Sequence, residues 1–242
     1  MTAEAPELHV VVPVYNEAEN FPRFYETLKA AVKTPFRLLV VYDRDEDTTL
    51  PVARPLAEKD PLLVLVKNTG KGVLGALKTG VAQPGSTAVL VTMADCSDDL
   101  TQVDQMMALF RQGHHVVVAS RYMRGGAQRG GPFVKSLLSR LAGLSLHWVG
   151  GLPTRDPTNN FKLYSRALLD RVEIESTGGF EIALELTVKA HLLGLSITEL
   201  PTVWTDRVAG QSNFKLMKWL PRYLRWYTEV FRGRLGLTRR PA

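Results

Sequence analysis

Short apolar runs alternate with stretches of helical periodicity through the first half of the chain. The runs are apolar on both faces, and they predict five buried strands: Leu8–Val14, Phe36–Tyr42, Leu62–Val66, Thr87–Thr92 and Val116–Ser120. Apolar residues at helical spacing predict helices in the segments between and after them: 18–32, from 47 onwards, 71–81 and 100–111. Strands and helices in this alternation are typical of βαβ units. The pattern therefore predicts an α/β fold with a mostly parallel sheet flanked by helices.

The pattern is less regular in the second half of the chain. It predicts strands at Phe161–Tyr164 and Ile197–Trp204 and a helix at Gly178–Leu193. The leucine-rich stretch Phe133–Val149 suits a core helix and a membrane-facing helix equally well. Because no repeat or linker divides the chain, we expect one domain over residues 1–212 with an appended C-terminal segment.

The C-terminal segment, residues 213–242, carries most of the positive charge. The chain has 30 basic and 24 acidic residues, a net charge of +6, while residues 215–242 alone contain eight basic residues and one acid, a charge of +7. The basic residues recur three and four positions apart beside an aromatic-rich face with Trp219 and Trp226, and Pro221 predicts a kink or a restart. This pattern predicts a basic amphipathic helix on a membrane surface. The alternative is a core-packing helix with one solvated face, and no nucleic-acid-binding motif accompanies the segment.

Composition indicates the class of protein and its compartment. With 242 residues, 45% of them hydrophobic and 22% charged, the chain matches a globular protein. No apolar run reaches the length of a membrane-spanning helix, and the first ten residues lack the features of a signal peptide. A single cysteine, Cys96, excludes a disulfide framework and a multi-cysteine zinc site. We expect a cytoplasmic protein, peripheral to the cytoplasmic face of the membrane.

Acidic residues follow three of the predicted strands. Asp43 comes directly after the second strand, Asp95 comes shortly after the fourth, and the first strand leads into Glu17. Ligands of parallel sheets bind beyond the carboxyl ends of the strands, where gathered carboxylates repel one another unless a cation or a donor-rich ligand lies between them. Magnesium takes one or two carboxylates together with water and substrate phosphates. This edge predicts a site for a nucleoside diphosphate and its metal, whereas Asp47 and Asp99 fit loop or helix-capping roles.

The glycine-rich segment Asn68–Gly72 does not fit a phosphate-binding P-loop. Lys71 is followed by Gly72, where that motif requires Ser or Thr. We expect a tight turn into a helix, which leaves Lys71 close to the predicted ligand.

Six segments, in this order, resemble those of family 2 glycosyltransferases. They are 11–17 (VVPVYNE), the Asp43 cluster, Asp95, 120–122 (SRY), 156–161 (DPTNNF) and 207–212 (RVAGQS). The resemblance spans about residues 8–220, and within the family the chain looks most like the dolichyl-phosphate or polyprenyl-phosphate mannosyltransferases. It implies the GT-A fold, a nucleotide-binding α/β domain, and a glycosyltransferase that uses Mg²⁺ or Mn²⁺.

The resemblance also implies which residues bind the nucleotide-sugar. Those expected to hold the base and ribose lie at the ends of the first two strands: Pro13, Tyr15, Glu17, Val41 and Asp43. Arg121 and Arg207 would face the phosphates. The family's lysine after Ser212 is Asn213 here, so that role moves to Lys215.

The metal and catalytic positions follow from the same resemblance. Asp95 would be the metal ligand of the DxD motif, with Ala94 in the donor site and Ser97 as a second ligand. Asp95, Asp156 and Arg207 are the predicted catalytic residues, with Asp156 near the reacting centre.

Two acids of the family's pattern are missing. Met93 replaces the first acid of the DxD motif, and Tyr42 replaces the first acid of the pair after the second strand. The metal would then be held by Asp95, Ser97 and the diphosphate, or Asp98 would compensate.

The implied reaction is a single displacement that inverts the anomeric centre. A phosphate acceptor is mostly ionised at pH 7, since its second pKa is about 6, and it needs cations more than a base. A hydroxyl acceptor would need a carboxylate base. We expect transfer to a polyprenyl phosphate, with GDP-mannose as the first choice of donor and UDP-sugars as the alternatives. The alternatives are a hydroxyl acceptor in glycan synthesis and, because of Met93, a catalytically silent nucleotide-sugar-binding subunit.

Overall fold

The computed structural model describes residues 6–206 and 216–237, the side chains of 216–219 excepted. The strands in these ranges are β1 (Leu8–Val14), β2 (Phe36–Tyr42), β3 (Leu63–Lys67), β4 (Ala88–Val91), β5 (Val116–Ser120), β6 (Ala127–Arg129), β7 (Lys162–Ser165), β8 (Ile197–Pro201) and β9 (Val203–Thr205). The helices are α1 (Phe21–Ala31), α2 (Leu50–Lys59), α3 (Gly72–Val81), α4 (Val103–Arg111), α5 (Phe133–Trp148), α6 (Arg166–Leu169), α7 (Ile182–Leu192) and α8 (Leu216–Arg234). A 3-10 turn at Leu100–Gln102 leads into α4.

The main sheet of the described residues has seven strands in the order β3-β2-β1-β4-β7-β5-β8. Strand β7 is antiparallel to both of its neighbours, and the remaining pairs are parallel. The mostly parallel α/β sheet is therefore confirmed. The single strand predicted at Ile197–Trp204 is wrong in one respect, because the chain changes partner at Thr202. Strand β8 pairs with β5, and β9 leaves the sheet to pair with β6.

Side-chain alternation along the strands divides the core into two layers. On β1, Val10 and Val12 belong to the cluster that contains Phe21 of α1 and Met106 of α4. Val11 points to the opposite layer, which holds α3 and α7. Helix α3 lies close against the sheet because Gly80 has no side chain, and a Cβ there would stand 2.3 Å from Val11 Cγ1. The apolar pattern of the strands is thus explained by burial on both faces.

Helices α5, α7 and α8 form a third, smaller apolar cluster. Trp226 and Val230 of α8 are buried against Leu146 of α5 and Val188 of α7. The Tyr227 hydroxyl lies 2.9 Å from Ser145 Oγ of α5. Within the described side chains, the aromatic face that the sequence assigned to a membrane surface therefore packs against the domain through Trp226 and Tyr227, as in the core-packing alternative. The Trp219 side chain lies outside the described residues.

Helix α8 is continuous through Pro221, so the restart predicted there does not occur. None of the described helices is long and apolar enough to cross a membrane.

Candidate active site

Five chain segments meet at one edge of the sheet. The carboxyl ends of β1, β2, β4 and β5 lie there, and antiparallel β7 begins at the same edge. From β1 the chain adds β2 and then β3 on one side, and it then returns to place β4 on the other side of β1. The direction in which strands are added therefore reverses between β1 and β4. Ligands of open α/β sheets bind at such a reversal, outside the carboxyl ends of the strands. The topology thus supports the predicted site at this edge.

The segment after β4 holds the predicted metal ligands. Asp95 and Ser97 are both buried, and Asp95 Oδ1 accepts hydrogen bonds from Ser97 Oγ at 2.6 Å and from Ser97 N at 3.2 Å. Cys96, between them, has a φ of 57°, which is rare for a residue other than glycine. Ala94 is buried in the core, so its side chain packs under the site. The strained turn fixes one carboxylate and one hydroxyl next to each other.

The two acids that follow have different environments. Asp98 accepts a hydrogen bond from Thr92 Oγ1 at 2.8 Å, and burial raises the pKa of its carboxyl to about 7. Asp99 caps the 3-10 turn by accepting from Thr101 N, which confirms the capping role expected for it. Asp98 therefore lies next to the segment that holds Asp95 and Ser97, and its role as a replacement for the acid missing at Met93 stays a prediction.

A divalent metal fits these residues only together with a substrate. No group of three or more His, Cys, Asp or Glu side chains within residues 6–206 and 216–237 is arranged to hold a metal. One carboxylate and one hydroxyl, at Asp95 and Ser97, match an ion that takes its other ligands from water and phosphates. The donor set therefore suits a metal that arrives with a diphosphate.

The loop after β1 is held by the loop after β2. Asn16 has a φ of 57°, and its backbone N–H donates to Asp47 Oδ1 at 3.0 Å. The Glu17 N–H donates to Thr49 Oγ1 at 2.9 Å, and the Glu17 carboxylate accepts from Asn20. Asp47 is buried and also accepts from Thr49 N, which confirms the loop role expected for it. Tyr15 is left 56% exposed at the edge.

The end of β2 orders the glycine-rich loop. Asp43 accepts from Asn68 Nδ2 at 2.7 Å and from the Gly72 N–H at 2.9 Å. Gly70 and Gly75 touch, since a Cβ on either would come within 3.0 Å of the other's backbone. The tight turn expected at Asn68–Gly72 is confirmed, and Lys71 is exposed at the start of α3.

Two predicted nucleotide-binding residues lie on paired positions of the sheet. Pro13 of β1 is opposite Val41 of β2. Val41 is completely buried in the core, while Pro13 is half-buried. The Val41 side chain therefore packs in the core, and its contact with the nucleotide stays a prediction.

Arg121, after β5, forms a buried ion pair with Asp156, before β7. Arg121 Nε donates to Asp156 Oδ2 at 2.7 Å, Nη2 donates to Oδ1 at 2.8 Å, and the Arg121 N–H donates to Oδ2 at 2.9 Å. The Asp156 side chain is fully buried, and that of Arg121 is 12% exposed. Burial alone would lower the pKa of Arg121, but the Asp156 carboxylate raises it above its ordinary value. The guanidinium that was expected to face phosphates is thus directed towards a carboxylate.

Sequence reasoning missed the polar residues that surround this pair. Ser139 of α5 lies 2.7 Å from Thr158 Oγ1 and accepts from the Tyr122 hydroxyl at 3.0 Å. Lys162 is fully buried and donates to Pro157 O at 2.5 Å, which ties the segment after Asp156 to α7. Both residues come from segments that look like ordinary helix and strand, and an apolar-polar pattern does not reveal such contacts.

Two predicted residues, Arg207 and Lys215, lie outside the described residues. The chain leading to Arg207 is held at the β4 segment, because the Thr205 N–H of β9 donates to Ser97 O at 3.1 Å.

The comparison with protein families identifies the chain. The model of "Glycosyl transferase family 2" matches residues 9–172, which contain the β1, β2, β4 and β5 ends described above. The chain belongs to this family.

Two similar proteins are glycosyltransferases by their names. The chain is 30% identical over 227 residues to the polyprenol monophosphomannose synthase of Mycolicibacterium smegmatis, covering 87% of this chain and 85% of that protein. It is 24% identical over 237 residues to the dolichol-phosphate mannosyltransferase of Pyrococcus furiosus, covering 93% of this chain and 66% of that protein. This family 2 protein is therefore a glycosyltransferase.

Solved structures establish the GT-A fold of this glycosyltransferase. The glucosyl-3-phosphoglycerate synthase of Mycobacterium tuberculosis, solved with Mn²⁺, UDP and glucosyl-3-phosphoglycerate, has a TM-score of 0.67 at 18% identity. The match covers 97% of this chain and 81% of that one. The same enzyme solved with UDP alone has a TM-score of 0.65 at 20% identity, covering 97% and 82%.

Proposed function

We propose that this glycosyltransferase transfers mannose from GDP-mannose to a polyprenyl phosphate at a membrane surface, with inversion of the anomeric centre. Of the two relatives, one is by its name a dolichol-phosphate mannosyltransferase and the other a synthase of polyprenol monophosphomannose. The buried pair of Arg121 and Asp156 is the observation that carries the choice of acceptor.

A hydroxyl acceptor needs a base to remove its proton, and that base is normally a carboxylate. Asp156 is the acid expected near the reacting centre, but it is fully buried and accepts three hydrogen bonds from Arg121. Both carboxylate oxygens are therefore already directed at Arg121, inside the protein and away from an incoming hydroxyl group. A phosphate monoester is already mostly ionised at pH 7 and requires no base, which favours it as the acceptor.

The donor would lie along the edge formed by β1, β2 and β4. Tyr15 follows β1 and is exposed where a base could stack, and Asp43, which already holds the loop at Asn68, follows the neighbouring strand β2. Asp95 and Ser97 would hold a divalent metal, Mg²⁺ or Mn²⁺, which neutralises charge on the departing diphosphate when bound. The metal in the solved structure of the Mycobacterium tuberculosis glucosyl-3-phosphoglycerate synthase is Mn²⁺.

Two cationic side chains would act on the leaving diphosphate. Arg207 follows Thr205, whose N–H is bonded to Ser97 O, and it would stabilise the charge that develops on the leaving diphosphate. Lys215 would assist the same group. Arg121 would act on the site mainly by fixing the segment that contains Asp156 and Thr158.

The test is a panel of donors and acceptors. GDP-mannose, UDP-glucose and UDP-N-acetylglucosamine are supplied with a short-chain polyprenyl phosphate or the matching free polyprenol, with Mg²⁺, with Mn²⁺ or with EDTA. We expect transfer from GDP-mannose to the phosphate alone and loss of transfer in EDTA. Efficient glycosylation of the free alcohol would overturn the choice of acceptor, and transfer from a UDP-sugar in place of GDP-mannose would overturn the choice of donor.

A further inference from the structure

Helix α5 has a large apolar face that no described residue covers. Seven large hydrophobic side chains at or just beyond the helix are between 42% and 77% exposed: Phe133, Val134, Leu137, Leu138, Leu141, Trp148 and Val149. Isolated exposed hydrophobic residues are ordinary on protein surfaces, but a contiguous set indicates an interaction site.

These side chains lie on one side of the helix. At 3.6 residues per turn they fall within roughly 160° of arc. The opposite side carries Ser136, Ser139, Gly143 and Leu146, which face the domain. Ser139 contacts Tyr122 and Thr158 of the candidate active site, and a Cβ at Gly143 would stand 2.1 Å from Arg155 O. The helix is thus fixed to the active-site edge by one face and exposes the other.

The surroundings of this face are basic. From Arg124 to Arg140 the chain has four Lys and Arg residues and no Asp or Glu. Lys135 borders the apolar arc on one side and Arg140 borders it on the other, with Arg140 exposed. A helix with an apolar face between basic flanks is the pattern of an interfacial helix on anionic lipid.

We propose that the apolar face of α5 docks into an anionic lipid bilayer and brings the active-site edge to the lipid surface. This rests on the proposed function, since a polyprenyl phosphate acceptor resides in a bilayer. A second copy of the chain fits the face less well, because a two-fold contact would set its basic flanks against one another.

The docking surface is tested with lipid vesicles that contain no polyprenyl phosphate, so that binding does not depend on the acceptor. The full chain is sedimented with vesicles of phosphatidylcholine and with vesicles that also contain phosphatidylserine. The variant L137S/L141S changes two exposed positions of α5. The variant L220S/L224S is the matched control, because those leucines are also exposed but lie on α8.

The wild type should bind the anionic vesicles more strongly than the neutral ones, and added salt should weaken that binding. L137S/L141S should reduce binding to anionic vesicles roughly tenfold or more, and L220S/L224S by less than about twofold. Equal binding of L137S/L141S and wild type would overturn the proposal, as would a loss of binding confined to L220S/L224S. Sedimentation in buffer shows whether the face joins two copies instead: dimerisation that L137S/L141S abolishes would also count against the bilayer.

A separate measurement distinguishes this surface from the proposed reaction. Transfer to a short-chain polyprenyl phosphate dissolved in detergent does not require docking, and L137S/L141S should retain it. Vesicle binding without transfer to any lipid phosphate would leave the docking surface standing and refute the reaction. Transfer to the lipid phosphate without vesicle binding would refute the docking surface and leave the proposed reaction standing.

Discussion

Replacing Asp156 by asparagine should destabilise the protein, and the size of the effect follows from the geometry of the ion pair. The carboxylate is fully buried, and it is bonded to Arg121 through Nε, Nη2 and the backbone N–H. The amide has nearly the same shape and can keep the two bonds now made to Oδ2. It loses the charge and turns an NH₂ group towards Arg121 Nη2.

The cost is that of leaving a buried guanidinium without its counter-charge. Removing one partner of a buried ion pair typically costs about 3–5 kcal/mol. We expect the lower end, about 3 kcal/mol, because 12% of the Arg121 side chain remains exposed and two hydrogen bonds survive. Domains of ordinary stability have about 5–15 kcal/mol, so the variant should still fold.

Urea unfolding followed by circular dichroism measures the loss. With a slope of about 3 kcal/mol per molar urea, the midpoint of Asp156→Asn should fall by about 1 M. Asp170→Asn is the matched control, because Asp170 is exposed and stands 3.8 Å from Arg166. It should cost less than about 0.5 kcal/mol. The double variant R121M/D156L removes both charges and should be more stable than D156N.

A D156N protein that unfolds at the wild-type urea concentration but has lost transfer to polyprenyl phosphate would refute a structural role for Asp156. The carboxylate would then act in the reaction itself. A double variant less stable than D156N would show that the loss comes from packing and not from the unpaired charge.

Three further predictions concern the metal site and the buried contacts behind it. Asp95→Asn should nearly abolish transfer, while Asp99→Asn should reduce it little. Because Asp95 is a single carboxylate, calorimetry should find Mn²⁺ bound only when a nucleoside diphosphate is present. Strong binding of Mn²⁺ in the absence of the nucleotide would contradict this. Burial lowers the pKa of Lys162 to about 7, so the unfolded state holds more protons than the folded state between about pH 7 and 10.5. In that range the free energy of unfolding should rise with pH by up to about 1.4 kcal/mol per pH unit, relative to that of the Lys162→Met variant. A difference between the two proteins that does not change with pH would contradict the lowered pKa. Gly143→Ala should destabilise by about 1–3 kcal/mol in thermal unfolding, because its Cβ would overlap Arg155 O; unchanged stability would show that α5 can move.

Strands β1, β2 and β5 could be predicted because they are largely buried on both faces, and such burial requires a continuous run of apolar residues. Leu8–Val14, Phe36–Tyr42 and Val116–Ser120 have the predicted bounds. The active-site edge could also be predicted, since parallel strands direct their carboxyl ends to one side. The pairing of Arg121 with Asp156 could not be predicted, because the two residues lie 35 positions apart and meet only through antiparallel β7. Sequence spacing carries no information on such a contact.

Helices α5 and α8 show a second limit of prediction from sequence. Periodicity reveals that a helix has an apolar face, but it does not reveal what that face packs against. The apolar face of α8 is covered by Leu146, Leu184 and Val188, whereas α5, whose leucines suited both interpretations, exposes its own. Deleting α8 would therefore uncover part of the core and make the protein bind lipid and other surfaces non-specifically. Removing that helix is for this reason a poor test of membrane binding, and point substitutions on the exposed face of α5, which leave the core intact, are the informative ones.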